Sequence, residues 1–95
     1  MTTELQCQSL QGFVSGHVQG VFFRVETQHL ALRLGIRGWV RNTKDGRVEL
    51  LIHGPAATVA EMRSWLHHGP SRARVYSVDL QAVEIDVPDG FEIIT

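Results

Sequence analysis

Two kinds of hydrophobic period alternate along this chain, and their order leaves few folds open to it. Strand-like alternation of apolar and polar residues is interrupted twice by the spacing of an amphipathic helix. Apolar helical stripes run from Phe23 to Leu34 and from Val59 to Leu66. Strands are predicted at 9–16, 36–41, 47–53 and 74–85, with a short last strand at Phe91 and Ile93.

The resulting order, strand–helix–strand–strand–helix–strand, is that of a split pair of βαβ units. It predicts an α+β, ferredoxin-like sandwich with an antiparallel sheet and both helices on one face. Crossover handedness makes the first and second strands parallel, so their ends lie at the same edge of the sheet. We therefore expect residues 16–22 and Asn42 to be neighbours, although they are distant in the sequence.

Length and composition fit a single domain, expected to occupy residues 1–95. Hydrophobic residues make up 43% of the chain, and the formal net charge of −1 disfavours nucleic-acid binding through the overall field. Cys7 is the single cysteine, so no disulfide can form within the chain. The sequence opens without a secretory signal, and no stretch reaches the roughly 18 apolar residues of a membrane span. A soluble cytoplasmic protein is expected.

The segment from Gly16 to Arg24, G-H-V-Q-G-V-F-F-R, leads from a strand end into a helix start. Gly16 and Gly20 are free to take positive φ, and the N–H groups of such a curl and of a first helical turn converge on an anion. The helix dipole disfavours a cation such as Arg24 there unless an anion fills the site. The pattern favours a phosphate site, and a tight connection with a solvated arginine is the alternative. A P-loop is excluded, because no lysine follows the second glycine.

Asn42 closes the second strand with the parity of Ile36 and Val40, which are predicted to face the helices. Its side chain is therefore expected to point toward the loop. A neutral amide both donates and accepts hydrogen bonds, which suits it to hold a water molecule beside a phosphorus atom. The alternative is a turn asparagine that caps the hairpin at 43–46.

Other polar and aromatic residues favour neither a metal site nor an RNA-binding sheet. Trp39 stands between Arg37 and Arg41 on one sheet face, as an RNA-binding sheet would require. The third strand, R-V-E-L-L-I-H, lacks the aromatic residues of such sheets, so we expect Trp39 to cover the face away from the helices. The histidines outside the loop lie on separate elements without metal-ligand spacing: His29, His53, His67 and His68.

Two stretches resemble the signatures of the acylphosphatase family. The sequence V-S-G-H-V-Q-G-V-F-F-R at 14–24 is similar to the first signature. The sequence G-W-V-R-N-T-K-D-G-R-V-E-L-L-I-H-G at 38–54 is similar to the second, and both fit without a gap. The stretch W-L-H-H-G-P-S-R-A-R-V at 65–75 also resembles the exit from the family's second helix. The resemblance covers almost the whole chain.

This resemblance implies an enzyme that hydrolyses the carboxyl–phosphate bond of acyl phosphates to a carboxylate and inorganic phosphate. By position, Arg24 is the catalytic arginine that binds the phosphoryl group, and Asn42 orients the attacking water. The resemblance further implies no metal and no covalent phosphoenzyme. No cofactor is expected, and the simplest expectation is a monomer that acts on a small acyl phosphate, without nucleic-acid or membrane partners. The implied phosphate cradle is the backbone of Gly16, His17, Val18, Gln19, Gly20, Val21 and Phe22.

His17 departs from the commonest family pattern, because many relatives carry arginine or lysine there. Its side chain either adds charge to the site or points away and leaves the cradle to the backbone. The alternative to an enzyme is a non-enzymatic anion-binding or RNA-binding module on the same fold.

Overall fold

The computed structural model describes residues 6–94 and shows the predicted order of strands and helices. In chain order the elements are β1 (Cys7–His17), α1 (Phe23–Leu34), β2 (Arg37–Asn42), β3 (Val48–Pro55), α2 (Ala56–Leu66), β4 (Arg74–Ala82) and β5 (Phe91–Ile94). Gly35 ends α1, as the sequence predicts.

The sheet has the strand order β4-β1-β3-β2-β5. Its first four strands are antiparallel to their neighbours, as predicted, but β5 pairs parallel with β2, with Phe91 opposite Gly38. The reason lies in the connection: β4 ends where Ala82 pairs with Leu10, near the start of β1. Residues 83–90 then follow that edge to the start of β2, and a strand that begins there runs alongside β2. The sheet is therefore mixed.

Both helices cover one face of the sheet and bury the stripes that the helical period predicts. In α1 the buried residues include Phe23 and Thr27, and in α2 they are Val59, Met62 and Leu66. Each large apolar side chain removed from water contributes about 1.5–3 kcal/mol before the cost of ordering the chain. The strand residues beneath the helices are Leu10, Val14, Val40, Val48, Leu50 and Ile52.

The register of β3 fixes where β1 and β2 end relative to each other. Val48 pairs with Val14 of β1 on one side and with Asn42 of β2 on the other. Because both outer strands are antiparallel to β3, they run in the same direction and end at the edge where β3 begins. Two strand spacings, about 10 Å, separate their ends. The segment after β1 is thus brought beside Asn42, as predicted.

Candidate active site

The end of β1 is bent by an irregularity in its pairing with β4. The register shifts between Ser15 and Gly16, and Gly16 has φ 132°. A Cβ at this position would lie 2.1 Å from the carbonyl oxygen of Arg74, so only glycine allows β4 to approach so closely. His17 ends β1, pairs with Arg74 and is exposed.

The loop that follows, residues 18–22, is held at the core by two valines. Val18 and Val21 are buried, and both belong to the main hydrophobic core. Between them, Gly20 is exposed with φ 76°, the positive φ that the sequence predicts. The loop therefore curls back on itself while its two valines anchor it.

Gln19 connects this loop to the hairpin between β2 and β3. Its side-chain amide donates hydrogen bonds to the carbonyl oxygens of Thr43, at 2.8 Å, and Arg47, at 2.9 Å. Thr43 directly follows Asn42 in the chain, so the contact sets the distance between the loop and Asn42. The side chain of Gln19 therefore turns toward the hairpin, a role that sequence reasoning did not identify.

The start of α1 leaves backbone donors available. Phe22 is the N-cap with φ 66° and makes no side-chain capping bond. The amide of Glu26 makes the first bond of the helix, to the carbonyl of Phe22 at 3.0 Å. The N–H groups of Phe23, Arg24 and Val25 therefore precede the intrahelical bonding.

Arg24 occupies the second position of α1 and is half-buried. Within residues 6–94 its guanidinium takes part in no ion pair or side-chain hydrogen bond. A guanidinium at a helix N-terminus, where the dipole is already positive, favours an anion at that place.

Asn42 is the last residue of β2 and is also half-buried. Its Oδ1 atom is buried, and none of the described residues donates a hydrogen bond to it. Buried polar atoms without a partner are uncommon, because leaving one unsatisfied costs about 1–3 kcal/mol. The free oxygen is an acceptor that a water molecule or a ligand can satisfy. The hairpin-cap alternative for this side chain lacks the corresponding hydrogen bond.

Arg24 and Asn42 line one cavity of about 240 Å³ at the start of α1. Its full lining is Val18, Gly20, Phe22, Phe23, Arg24, Val25 and Asn42. Four residues of the predicted cradle are outside this lining. Gly16 and His17 belong to β1, Gln19 turns toward the hairpin, and Val21 is buried in the core. Phe23 and Val25 were not predicted to line the site. Their positions on either side of Arg24, in the first helical turn, were the available signal.

On the sheet face opposite the helices, two arginines contact carboxylates of the protein itself. Arg41 contacts the buried carboxylate of Glu49, at 2.7 Å from Nε and 2.6 Å from a terminal nitrogen. Arg47 pairs with Asp45 at 2.8 Å and lies over the ring of Phe13, 3.9 Å from its centroid. These contacts leave less positive charge for a phosphate backbone, so this face supports the RNA-binding alternative less than the cavity supports an anion site.

Within residues 6–94, no three His, Cys, Asp or Glu side chains are grouped so that they could hold a metal ion. Over the same range, none of the helices combines the length and the apolar character needed to cross a membrane.

Comparison with known proteins identifies the family of this chain. The profile of the Acylphosphatase family matches residues 10–93. An acylphosphatase of Halorhodospira halophila is 49% identical over 80 residues, covering 84% of this chain and 87% of the relative. One of Nitrosococcus oceani is 44% identical over 93 residues, covering 98% of this chain and 99% of the relative. The solved structure of an acylphosphatase from Coxiella burnetii has a TM-score of 0.89 and 33% identity, and the match covers 93% of each chain. The resemblance at 14–24 and 38–54 and the ferredoxin-like fold are thus confirmed, and the chain belongs to the acylphosphatase family.

Proposed function

We propose that the chain hydrolyses acyl phosphates in the cavity at the start of α1, where Arg24 binds the phosphoryl group and Asn42 orients the attacking water. Membership of the family makes the chain an enzyme, a hydrolase of small acyl phosphates. The observation that carries the mechanism is the convergence of three features on one cavity. They are the side chain of Arg24, the uncapped first turn of a helix and the amide side chain of Asn42, whose Oδ1 has no donor among residues 6–94.

Arg24 supplies the charge at the phosphoryl end. Its planar guanidinium can donate two parallel hydrogen bonds to two oxygens of one phosphoryl group. The N–H groups of the first turn of α1 point in the same direction and add the positive end of the helix dipole. Negative charge that develops on the phosphoryl oxygens during transfer is therefore stabilised by groups already in place.

Asn42 holds the nucleophile. Its free Oδ1 accepts a hydrogen bond from water, which leaves a lone pair of that water directed toward phosphorus. The oxygen of water forms the new bond to phosphorus as the bond between phosphorus and the acyl oxygen breaks. Both electrons of that bond leave with the carboxylate, and one proton of water passes to a phosphoryl oxygen. The products are the carboxylate and dihydrogen phosphate, so the charge of the dianionic substrate is conserved.

The leaving group explains why this arrangement needs no general acid. The pKa of a carboxylic acid is near 4, so the leaving group departs as a stable carboxylate anion at neutral pH. The proposed machinery is therefore confined to binding, orientation and charge stabilisation. In this proposal the backbone of residues 16–22 forms the cradle around the phosphate, with Val18, Gly20 and Phe22 at the cavity and the other residues holding the curl in place.

Replacement of Asn42 by alanine separates water positioning from phosphate binding. We expect Asn42→Ala to lower kcat by about 10²–10³-fold, the range for loss of an oriented polar group in an active site. Inorganic phosphate should still bind, as measured by calorimetry. Gln81→Ala, which removes an exposed amide on β4, is the control and should leave kcat unchanged. Loss of phosphate affinity in folded Asn42→Ala would place Asn42 in the cradle and contradict its role with water.

We further propose that the enzyme is metal-free and that it acts as a monomer in the cytoplasm, without nucleic-acid or membrane partners. Activity on acetyl phosphate should survive dialysis against EDTA; loss of activity that an added divalent metal restores would overturn the metal-free proposal.

Light scattering after size exclusion should give the mass of one chain, and a stable dimer would contradict the monomer. Fractionation of cells that make the protein tests its compartment.

A further inference from the structure

Phe22 is unusual for its position in residue type, backbone conformation and exposure. N-cap positions favour Ser, Thr, Asp, Asn and Gly, whose side chains bond the helix end or leave it open to water. Left-handed backbone favours glycine and asparagine, yet Phe22 has φ 66° and ψ 24°. Its ring is 65% exposed, so burial in the core does not compensate for the strain. Phe22 is also the single residue other than glycine with positive φ in the described range 6–94.

Strained residues that packing does not explain concentrate at functional sites. Phe22 lines the cavity, and so does Val25, which is 39% exposed. One is the N-cap of α1 and the other is the third residue of the helix, so both border the cavity at the same helix end. Together we call Phe22 and Val25 the apolar rim of the cavity.

Opposite chemistries thus meet around one opening. Arg24 lies between Phe22 and Val25 in the sequence and, with Asn42, supplies the polar part of the lining. Gly20 also lines the cavity, and the space that a side chain would take there is empty to a distance of 4 Å. The cavity therefore has an anion-binding end, an apolar rim and room beside the loop.

An acyl phosphate has the same two parts, a charged phosphoryl group and an acyl group joined through one oxygen. We propose that the apolar rim contacts the acyl group and makes the enzyme prefer substrates with an apolar acyl group, aromatic or branched, over those with a small or charged one. The inference rests on the proposed function, since it assumes that the phosphoryl group is at Arg24. An aromatic acyl group can pack against the exposed ring of Phe22, whereas an acetyl group offers little surface to it.

The test compares benzoyl phosphate with acetyl phosphate through the ratio of their kcat/KM values. Phe22→Asn keeps a residue that tolerates left-handed backbone but removes the apolar ring. Val25→Gln replaces the apolar side chain of the second rim residue by a polar one. The benzoyl-to-acetyl ratio should fall about 3- to 10-fold in Phe22→Asn and by less in Val25→Gln. Phe22→Leu, which stays apolar, should keep most of the ratio. Leu32→Gln, at an exposed apolar residue of α1 outside the cavity, should leave it unchanged.

Binding without chemistry gives a second readout. Benzoylphosphonate and acetylphosphonate carry a P–C bond that water does not cleave, and the ratio of their inhibition constants should shift in Phe22→Asn as the ratio of kcat/KM does. If both benzoyl-to-acetyl ratios stay at the wild-type value in Phe22→Asn, with both substrates slowed alike, the apolar rim does not contact the acyl group. Phe22 would then have a backbone role only.

Arg24→Gln, measured on the same two substrates, distinguishes this failure from failure of the proposed function. If Arg24→Gln keeps activity, the phosphoryl group is not at Arg24 and both proposals fall. If Arg24→Gln is inactive and Phe22→Asn keeps the wild-type ratio, the apolar rim alone is wrong.

Discussion

At the start of α2 another segment of the described chain accepts a hydrogen bond from the first helix amide, whereas at the start of α1 none of the first three amides has such a partner among the described residues. Pro55, the N-cap of α2, has φ −56°, a value that its ring favours. The amide of Ala56 donates to the carbonyl of Gln6 at 3.0 Å. The N-cap of α1 is Phe22 in left-handed backbone, and the turn behind it borders a cavity.

The two helices have similar lengths, and neither has a side-chain cap, so local helix chemistry does not explain this difference. Its cause is the preceding segment. The strand β3 runs directly into α2, while β1 is followed by the loop 18–22, which lies beside the start of β3 and is hydrogen-bonded to the β2–β3 hairpin. The contrast shows that the segment before a helix decides whether its first amides are used within the protein, and the open end of α1 is the one that borders the proposed phosphate site.

The largest effect should come from removing the cation at the open end. Arg24→Gln is expected to lower kcat/KM by about 10³-fold or more, because both charge and bidentate hydrogen bonding are lost. Arg24→Lys keeps the charge without the planar fork and should also lose most activity. Steady-state kinetics on acetyl phosphate measure both. Arg63→Gln, in the last turn of α2, is the matched control and should behave as wild type. Retention of more than half of wild-type kcat/KM in Arg24→Lys would contradict the role of the guanidinium geometry.

A smaller effect should follow when the loop is released from the hairpin. Gln19→Leu removes the donor to two carbonyl oxygens, which should cost about 1–3 kcal/mol of unfolding free energy. Because the contact places the loop beside Asn42, kcat should also fall, by roughly 10-fold. Gln28→Leu is a close control, since Gln28 donates to the carbonyl of Phe91 at 2.9 Å, away from the cavity. Urea unfolding and kinetics should show similar destabilisation in both variants but reduced kcat in Gln19→Leu only; equal kcat values would limit Gln19 to a structural role.

The same substitution at the two N-caps should change stability in opposite directions. Phe22→Gly relieves left-handed backbone and is expected to raise the unfolding free energy by about 1 kcal/mol. Pro55→Gly frees the unfolded chain and should lower it by about 0.4–1 kcal/mol. Thermal or urea unfolding of both variants measures the difference. If Phe22→Gly destabilised the protein as Pro55→Gly does, the open end of α1 would not be strained.

The smallest effect concerns the hairpin that lies against the open end. The pKa of Asp45 is lowered to about 2 by its hydrogen bonds with Arg47 and Thr43. A carboxyl whose pKa is lower in the folded than in the unfolded state stabilises the fold above the unfolded value, near 4, and that contribution disappears as pH falls toward 2. Asp45→Asn should therefore lower Tm slightly at pH 6 and bring it to the wild-type value near pH 2. Asp79→Asn corrects for loss of a surface carboxylate, and a Tm difference that does not change with pH would contradict the assignment.

Much of the fold was predictable because periodicity and turn chemistry are local. The stripes of both helices, the glycine that ends α1 and the positive φ of Gly16 and Gly20 all matched the prediction. The neighbourhood of Asn42 and the loop after β1 was also correct, because connection handedness allows few alternatives. The sequence left the direction of β5 open, because it depends on which sheet edge residues 83–90 follow, and no short stretch of sequence encodes that path.

By itself, the sequence determined the helices and strands, their order and the family. It also indicated that Arg24, in the first turn of α1, and Asn42, at the end of β2, belong to one site. Each of these depends on residues close together in the chain or on a known motif. Only the tertiary structure decided which side chains line the cavity. It turned Gln19 to the hairpin, gave Oδ1 of Asn42 no donor from residues 6–94 and set Phe22 exposed at the opening. The physical reason is that a side chain's partners come from segments distant in sequence. Their position depends on strand register and helix packing across the whole domain, which local preferences do not specify.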